Sequence, residues 1–499
     1  MRLIKLLALS LIVSCSSAEN IPHGTVVIGV ETGPTVLDPR FATDAVSSNV
    51  SGLIYSGLLR RNAKMELELD LAESVAQPHP KTYVIRLREG IVFHDGRPLT
   101  SADVKYTLES ILDPKSASPK KSAFKHIASI QTLDDHTLVI TLDEPFAPFL
   151  GNLTQGIVPE GSGGLTGKPV GTGPFRFADY RRGQSVYLER NGSYHNGAPK
   201  ISGVLFKILP DETVRLLELK KGNVHIVQNP ITPAVLPWLE KQDGITVRKK
   251  TGTNVSYIGF NMKDKILSDK KVRLAIAHAI DRDSIIKYML KGLAVKTNTL
   301  LSPMNDFYNE SIKQVEYDPA QARKLLDEAG YLQKESGKRF TLTYKTSKNP
   351  TRKKIAEIFA QQLGDAGIGI EIKSYEWGTF FSDIKKGNFQ LYSLTWVGIA
   401  DPDIYYYIFH SKSVPPDGAN RGMYVNSELD ALLERGRVET DFDKRSAIYR
   451  QVQQIIADDM PYVHLWLSVN VAATSDRITG FEIYPDESLD SLTRVALAD

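Results

Sequence analysis

The side chains able to do chemistry are scattered along this sequence. Ten histidines are spread over 499 residues, and none shares a metal-ligand spacing with Asp, Glu or Cys. His94-Asp95-Gly96 reads as a turn, His79 sits between two prolines, and His225, His278 and His464 lie in apolar runs, as packed residues do. Asp458-Asp459 falls at a helix end, where carboxylates are solvated. There is no HExxH, no GxSxG elbow, no phosphate loop closed by GK[ST] and no kinase signature. Gly171-Thr172-Gly173-Pro174 is a partial glycine-rich match, but Pro174 lacks the amide hydrogen a phosphate cradle would use. The single cysteine, Cys15, excludes an internal disulfide, a CxxC pair and any multi-cysteine metal site. What stands out is aromatic: Trp377, Trp396 and Tyr405-Tyr406-Tyr407 with Phe409. Rings that combine apolar area with a polar handle suit a ligand cleft, although the tyrosine run reads better as core. Trp396 closes a strand and precedes Gly398 and Asp401-Pro402-Asp403, where a loop leaves the sheet and crevices form. This inventory predicts non-covalent binding rather than catalysis, with no metal and no cofactor.

Such residues need a frame, and strand and helix signals alternate along the chain, an α/β pattern. Thr25 to Val30, Tyr83 to Leu87 and Thr137 to Leu142 read as strands. Thr100-Ser101-Ala102-Asp103 is a capping box ahead of Val104, Leu108 and Ile111 on one helical face. Further on, Ser268-Asp269 and Asp318-Pro319 open helices, the second with proline at its first position. Gly330 and Gly367 stop helices. Ile368, Ile370 and Ile372 alternate as a half-buried strand, and Leu391 to Trp396 is a second. A long helix through Ile448, Val452, Ile455 and Ile456 precedes Pro461, and Val463 to Val471 returns as a strand. The length calls for two to four domains. With 42% hydrophobic and 24% charged residues the composition is that of a globular protein. Lys+Arg 61 against Asp+Glu 58 leaves no basic excess for nucleic acid.

The N-terminus reads as an address. Arg2 and Lys5 precede the apolar run Leu6 to Val13, which is too short for a permanent span. Ile12-Val13-Ser14-Cys15 resembles a bacterial lipoprotein cleavage box, with Ile12 where Leu is commoner. That reading makes 1–14 a signal peptide, Cys15 the lipidated residue, and 15–20 a polar tether; the alternative is an ordinary secretory signal with an incidental cysteine. No later segment offers about 18 uninterrupted apolar residues. The expected location is outside the cytoplasm, lipid-anchored to a membrane and facing the periplasm or exterior, with outer-membrane sorting compatible with Ser16.

From Leu37-Asp38-Pro39 to Leu429-Asp430-Ala431-Leu432-Leu433 an ordered set of short motifs runs along the chain. Between them stand Phe93-His94-Asp95-Gly96, Gly171-Thr172-Gly173-Pro174-Phe175, Gly259-Phe260-Asn261, Val272-Arg273-Leu274-Ala275-Ile276, Ala279-Ile280-Asp281-Arg282, Glu328-Ala329-Gly330-Tyr331 and Tyr375-Glu376-Trp377. On these residues the chain resembles the bacterial family 5 extracellular solute-binding proteins, which include the oligopeptide-, dipeptide- and nickel-binding components of ABC importers. The resemblance implies a two-lobed periplasmic-binding-protein fold of the large peptide-binding class. Domain I would be 21–50, 170–260 and 478–499, domain II 51–169, both in lobe 1, and domain III 261–477, lobe 2. The hinge would lie near Gly259–Lys265 and Val471–Thr474. It also implies a monomer that binds a peptide or small-molecule ligand and meets a permease and ATPase, without nucleic acid.

The chain departs from the dipeptide binders at both charge anchors. Where they carry an Asp for the ligand ammonium, three residues after the tryptophan, this chain has Ile399. Where they carry an Arg for the ligand carboxylate it has Thr346, and Lys345 and Lys348 lack the bidentate fork. Thr43, Asp44, Trp377 and Trp396 are kept in type, and with Gly398 and Ile399 form the expected cleft lining. Arg421, flanked by Gly418 and Gly422, either holds an anionic group or is a plain surface arginine. Two ligand classes follow: longer peptides held through their backbone, or a non-peptide such as a sugar, an opine, haem or a metal chelate. A sensor or peptide chaperone would use the same cleft, and a lipoprotein hydrolase is the rival from another class.

Overall fold

The structure is a computed structural model that describes residues 22–163 and 168–498. The expected signal peptide and tether, with Cys15, lie outside the described residues. No described helix is long and apolar enough to cross a membrane.

One eleven-stranded mixed sheet runs through the molecule. Its lobe 2 end holds Ile368–Tyr375, Phe340–Ser347 and Leu391–Trp396, and its lobe 1 end Thr25–Val30, Gly203–Ile208, Ser185–Arg190 and Phe175–Arg181. Two long strands in the middle, Ile245–Phe260 and Tyr462–Ser475, pair antiparallel and belong to both ends. A separate four-stranded antiparallel sheet, built from Ala72–His79, Thr82–Leu87, Thr137–Leu142 and Ile127–Asp134, packs with the helix Ser101–Leu112 around Tyr83, Ile85, Val104 and Leu138.

Local chemistry accounts for the elements. Thr25–Val30 reads as unbroken apolar because the sheet buries both of its faces: Val26 and Ile28 enter one core and Val27 another. Asp103 accepts the Thr100 amide at 2.7 Å in the capping box, and Asp318 accepts the Gln321 amide at 2.9 Å ahead of Pro319. Gly330 and Gly367 sit at φ +84° and +90°, the left-handed backbone that ends a helix at low cost only for glycine.

The cores change over inside the two crossing strands. Val247 packs in a lobe 1 core, whereas Val255, Tyr257, Ile258 and Phe260 pack in the two lobe 2 cores. On the partner strand Leu467 belongs to lobe 2 and Val471 to lobe 1. The pairing register shifts between Thr251 and Val255, at the same point. A register break bends a strand locally, so the change of lobe falls before the expected Gly259–Lys265 crossing.

Candidate ligand-binding cleft

The strands of lobe 2 create a crevice before any side chain is considered. Phe340–Ser347 lies between Ile368–Tyr375 and Leu391–Trp396, parallel to both. The chain leaving Phe340–Ser347 enters the helix Pro350–Asp365, whose Ala356, Phe359 and Leu363 pack on one face of the sheet. The chain leaving Leu391–Trp396 enters Ile404–Phe409, whose Tyr405, Ile408 and Phe409 pack on the other. Neighbouring parallel strands whose connections diverge to opposite faces open a crevice at their carboxyl ends.

An arginine in an aromatic box marks that end. The Trp396 ring stacks on Tyr257 at 6.0 Å and 9°, and the Arg421 guanidinium lies 4.9 Å from the Trp396 ring centre and 5.3 Å from that of Phe381. Arg421 donates from Nη1 to the Tyr257 hydroxyl at 3.1 Å. Its loop is pinned by contacts: the Asn420 side chain holds the Tyr424 amide and carbonyl at 2.9 and 2.7 Å, and a Cβ on Gly422 would collide with the Phe260 carbonyl. Burial works against the Arg421 charge, but the hydroxyls of Tyr257, Tyr392 and Tyr462 outweigh it and hold the guanidinium's pKa above its ordinary value.

What Arg421 lacks is an acid. Seven arginines are buried among the described residues. Arg40, Arg339 and Arg445 have carboxylates, while Arg215, Arg273 and Arg282 donate to main-chain carbonyls. Arg421, 8% exposed, has neither, and its Nε has no partner. The Trp396 indole N–H beside it is also unpartnered. Buried guanidinium is costly unless neutralised, so this arrangement is complementary to an anion.

The other expected residues are placed differently. Trp377 begins a helix, is 53% exposed, and stacks on Phe381 at 5.4 Å, which links it to Arg421. Gly398 sits at φ +68° and donates its amide to Asn254 at 2.9 Å. Ile399 points into the lobe 2 core at 5% exposure. Thr346 is fully buried, Lys345 pairs with Asp383 at 2.6 Å, and Lys348 pairs with Glu376 at 3.0 Å. Thr43 is exposed on lobe 1. Asp44 caps the helix Ala45–Ile54 and accepts from Ser47 N, Ser47 Oγ and Thr35 Oγ1 at 2.8, 2.6 and 2.6 Å. Burial raises its pKa, but these hydrogen bonds win and hold it below the usual carboxylate value.

A cavity of about 620 Å³ lies between the lobes, lined by Arg61, Asp70, Asp486 and Asp490 from lobe 1 and by Gly398 and Ala400 from lobe 2. Burial, followed by Asp486 and Asp70, pushes the Asp490 carboxyl up to about 7. Arg421 and Trp396 are not among its lining residues, although Trp396 stands two residues before Gly398 in the chain. Tyr257, Phe381 and Asp490 escape a reading of motifs, since each owes its place to strands or loops brought together from afar. No group of three or more His, Cys, Asp or Glu suited to a metal occurs among the described residues.

Residues 66–416 match the model of the bacterial extracellular solute-binding proteins, family 5 (middle region). The oligopeptide-binding protein AppA of Bacillus subtilis is 28% identical over 95% of this chain and 92% of its own. Its structure with a nonapeptide superposes with a TM-score of 0.78 over 95% and 99% of the two chains. The glutathione-binding protein GsiB of Escherichia coli O157:H7 is 30% identical over 96% of this chain and 95% of its own. The substrate-binding protein CtaP of Listeria monocytogenes, 26% identical, superposes with a TM-score of 0.86 over 95% of this chain and 99% of its own. The chain belongs to the family 5 extracellular solute-binding proteins of ABC transporters.

Proposed function

We propose that this protein is the peptide-binding component of an ABC importer, which takes up its ligand between the lobes and presents it to a permease. The observation that carries the reading is Arg421: a buried guanidinium with no acid or carbonyl partner, boxed by Trp396, Phe381 and Tyr257 at the carboxyl end of a strand. A ligand carboxylate is the missing partner. Relatives named for oligopeptide, dipeptide and glutathione binding support a peptide as its bearer. Ile399 and Thr346 are both core residues, so the charge anchors of the dipeptide binders have no counterpart at these positions. Peptides longer than two residues, held through their backbone, fit that pattern.

The mechanism follows from the crossing strands. Domain I as 21–50, 170–260 and 478–499, domain II as 51–169 and domain III as 261–477 remain the working division, with the flexible point moved to Thr251–Val255. A ligand that touches both lobes only when they are closed shifts the population toward the closed form, which a permease then reads. Acyl chains on Cys15 would keep the protein near that permease. The test is a native mass spectrum of residues 16–499 purified gently, before and after denaturation. A ladder of small peptides released on denaturation is expected. One defined non-peptide mass would overturn the peptide assignment and leave the binding fold intact.

A further inference from the structure

A second arginine without an acid stands at the same strand end. Arg352 lies in the first turn of the helix Pro350–Asp365, half-buried, and reaches Thr395 Oγ1 with Nη2 at 3.5 Å. No carboxylate pairs with it among the described residues, and the groups acting on its charge are burial, which disfavours it, and the hydroxyls of Tyr344 and Tyr257, which favour it. Tyr257 itself lies against Trp396 and Arg421 on the other face of the sheet.

The two guanidiniums approach from opposite sides. Thr395 and Trp396 are consecutive in the strand Leu391–Trp396 and therefore point to opposite faces of the sheet. Arg352 arrives on the Thr395 face with a helix of the first lobe 2 core, and Arg421 stands on the Trp396 face beside the second. The sheet stands between them, and the two oxygens of one carboxylate are too close together to serve both guanidiniums.

We propose that Arg352 and Arg421 form a two-point anion receptor around the carboxyl end of Leu391–Trp396, and that the ligand presents two carboxylates to it, one to each guanidinium. This rests on the reading of the crevice as a peptide site and narrows it to peptides with an acidic residue at the C-terminus. The terminal carboxylate and the side-chain carboxylate supply the two charges. A monoacid would leave one of the two guanidiniums unneutralised.

The test is calorimetric titration of residues 16–499 with Ala-Ala-Glu, Ala-Ala-Gln and the α-amide of Ala-Ala-Glu, and with glutarate as a dicarboxylate that is not a peptide. Ala-Ala-Glu is expected to bind at least tenfold more tightly than either singly charged analogue. Arg352→Gln and Arg421→Gln should each erase one of the two preferences, a different one in each variant, with melting temperature recorded as a check on folding. Arg352 stands on an open helix turn, so its variant keeps the test valid if Arg421→Gln folds poorly. Equal affinity for the three peptides, or preferences that survive both substitutions, overturns the receptor and leaves peptide binding standing. Arginine-dependent binding of glutarate without any peptide overturns the peptide reading and keeps the receptor. Binding of none of the four probes overturns the receptor.

Discussion

Arg445 and Arg421 stand in the same lobe, are 6% and 8% exposed, and both lie against aromatic rings. Arg445 is 5.0 Å from the ring centre of Phe307 and 5.2 Å from that of Tyr449; Arg421 is 4.9 and 5.3 Å from Trp396 and Phe381. Their partners differ. Arg445 grips Asp401 with both Nη atoms at 3.1 and 2.8 Å and gives Nε to the Gly436 carbonyl at 3.0 Å. Arg421 has a phenol and an empty Nε. Aromatic packing alone does not separate an arginine that holds the fold from one that awaits a ligand. The presence or absence of an acid or main-chain carbonyl partner does.

The largest effect separates the pair by stability. Arg445→Gln leaves Asp401 without its cation beside Asp403, whose carboxyl burial already pushes up to about 6, and should cost about 3 kcal/mol. Arg421→Gln strands no carboxylate and should cost about 1 kcal/mol or less, because the guanidinium's own desolvation penalty goes with it. Urea denaturation of the two variants reads the difference directly. A larger loss for Arg421→Gln than for Arg445→Gln would break the comparison.

Asp490 extends it to an acid that pairs with no base among the described residues, although Arg60 and Arg494 pull its pKa back down. Its folded pKa is raised to about 7, first by burial and then by Asp486 and Asp70, against an unfolded value near 3.9. Between those values the folded chain holds a proton that the unfolded chain has released, so stability falls as pH rises from about 4 to about 7 and is flat above. Asp490→Asn should match the parent at pH 4 and exceed it at pH 8 by about 2 kcal/mol, allowing for partial exposure. Melting temperatures of the two chains measured across that range should diverge steadily; parallel curves would mean that the carboxyl is already ionised at pH 4.

Much of this frame was legible from residues. The strands Thr137–Leu142 and Leu391–Trp396 and the caps at Asp103, Asp269 and Asp318 fall where local rules place them, because period and capping chemistry are properties of a few consecutive side chains. Ile245–Phe260 was not legible as one strand crossing two lobes, since its first half is charged and its second apolar. Its unity depends on Tyr462–Ser475, more than 200 residues later. Arg421 is marked in the sequence by its flanking glycines. Arg352 is not, because its meaning depends on Thr395 arriving beside it from a later strand. Ile399 was expected in the cleft and lies in the core, because the left-handed turn at Gly398 redirects the chain after the strand ends.

Asp44 is the smallest and sharpest case, a carboxylate in the expected cleft lining that already accepts three hydrogen bonds. By the rule drawn from the two arginines it resembles Arg445, not Arg421. Asp44→Ala should therefore cost about 1 kcal/mol through loss of the N-cap. Asp44→Asn should cost less, because an amide oxygen caps nearly as well as a carboxylate. Its folded pKa is depressed, so its contribution is present above about pH 4 and fades as acid protonates it. Neither variant should move peptide affinity by more than about twofold, or 0.4 kcal/mol. A tenfold loss of binding in Asp44→Asn at unchanged melting temperature would show that a fully hydrogen-bonded carboxylate can still serve a ligand. Partner counting would then fail as a guide to which charges in this cleft are free.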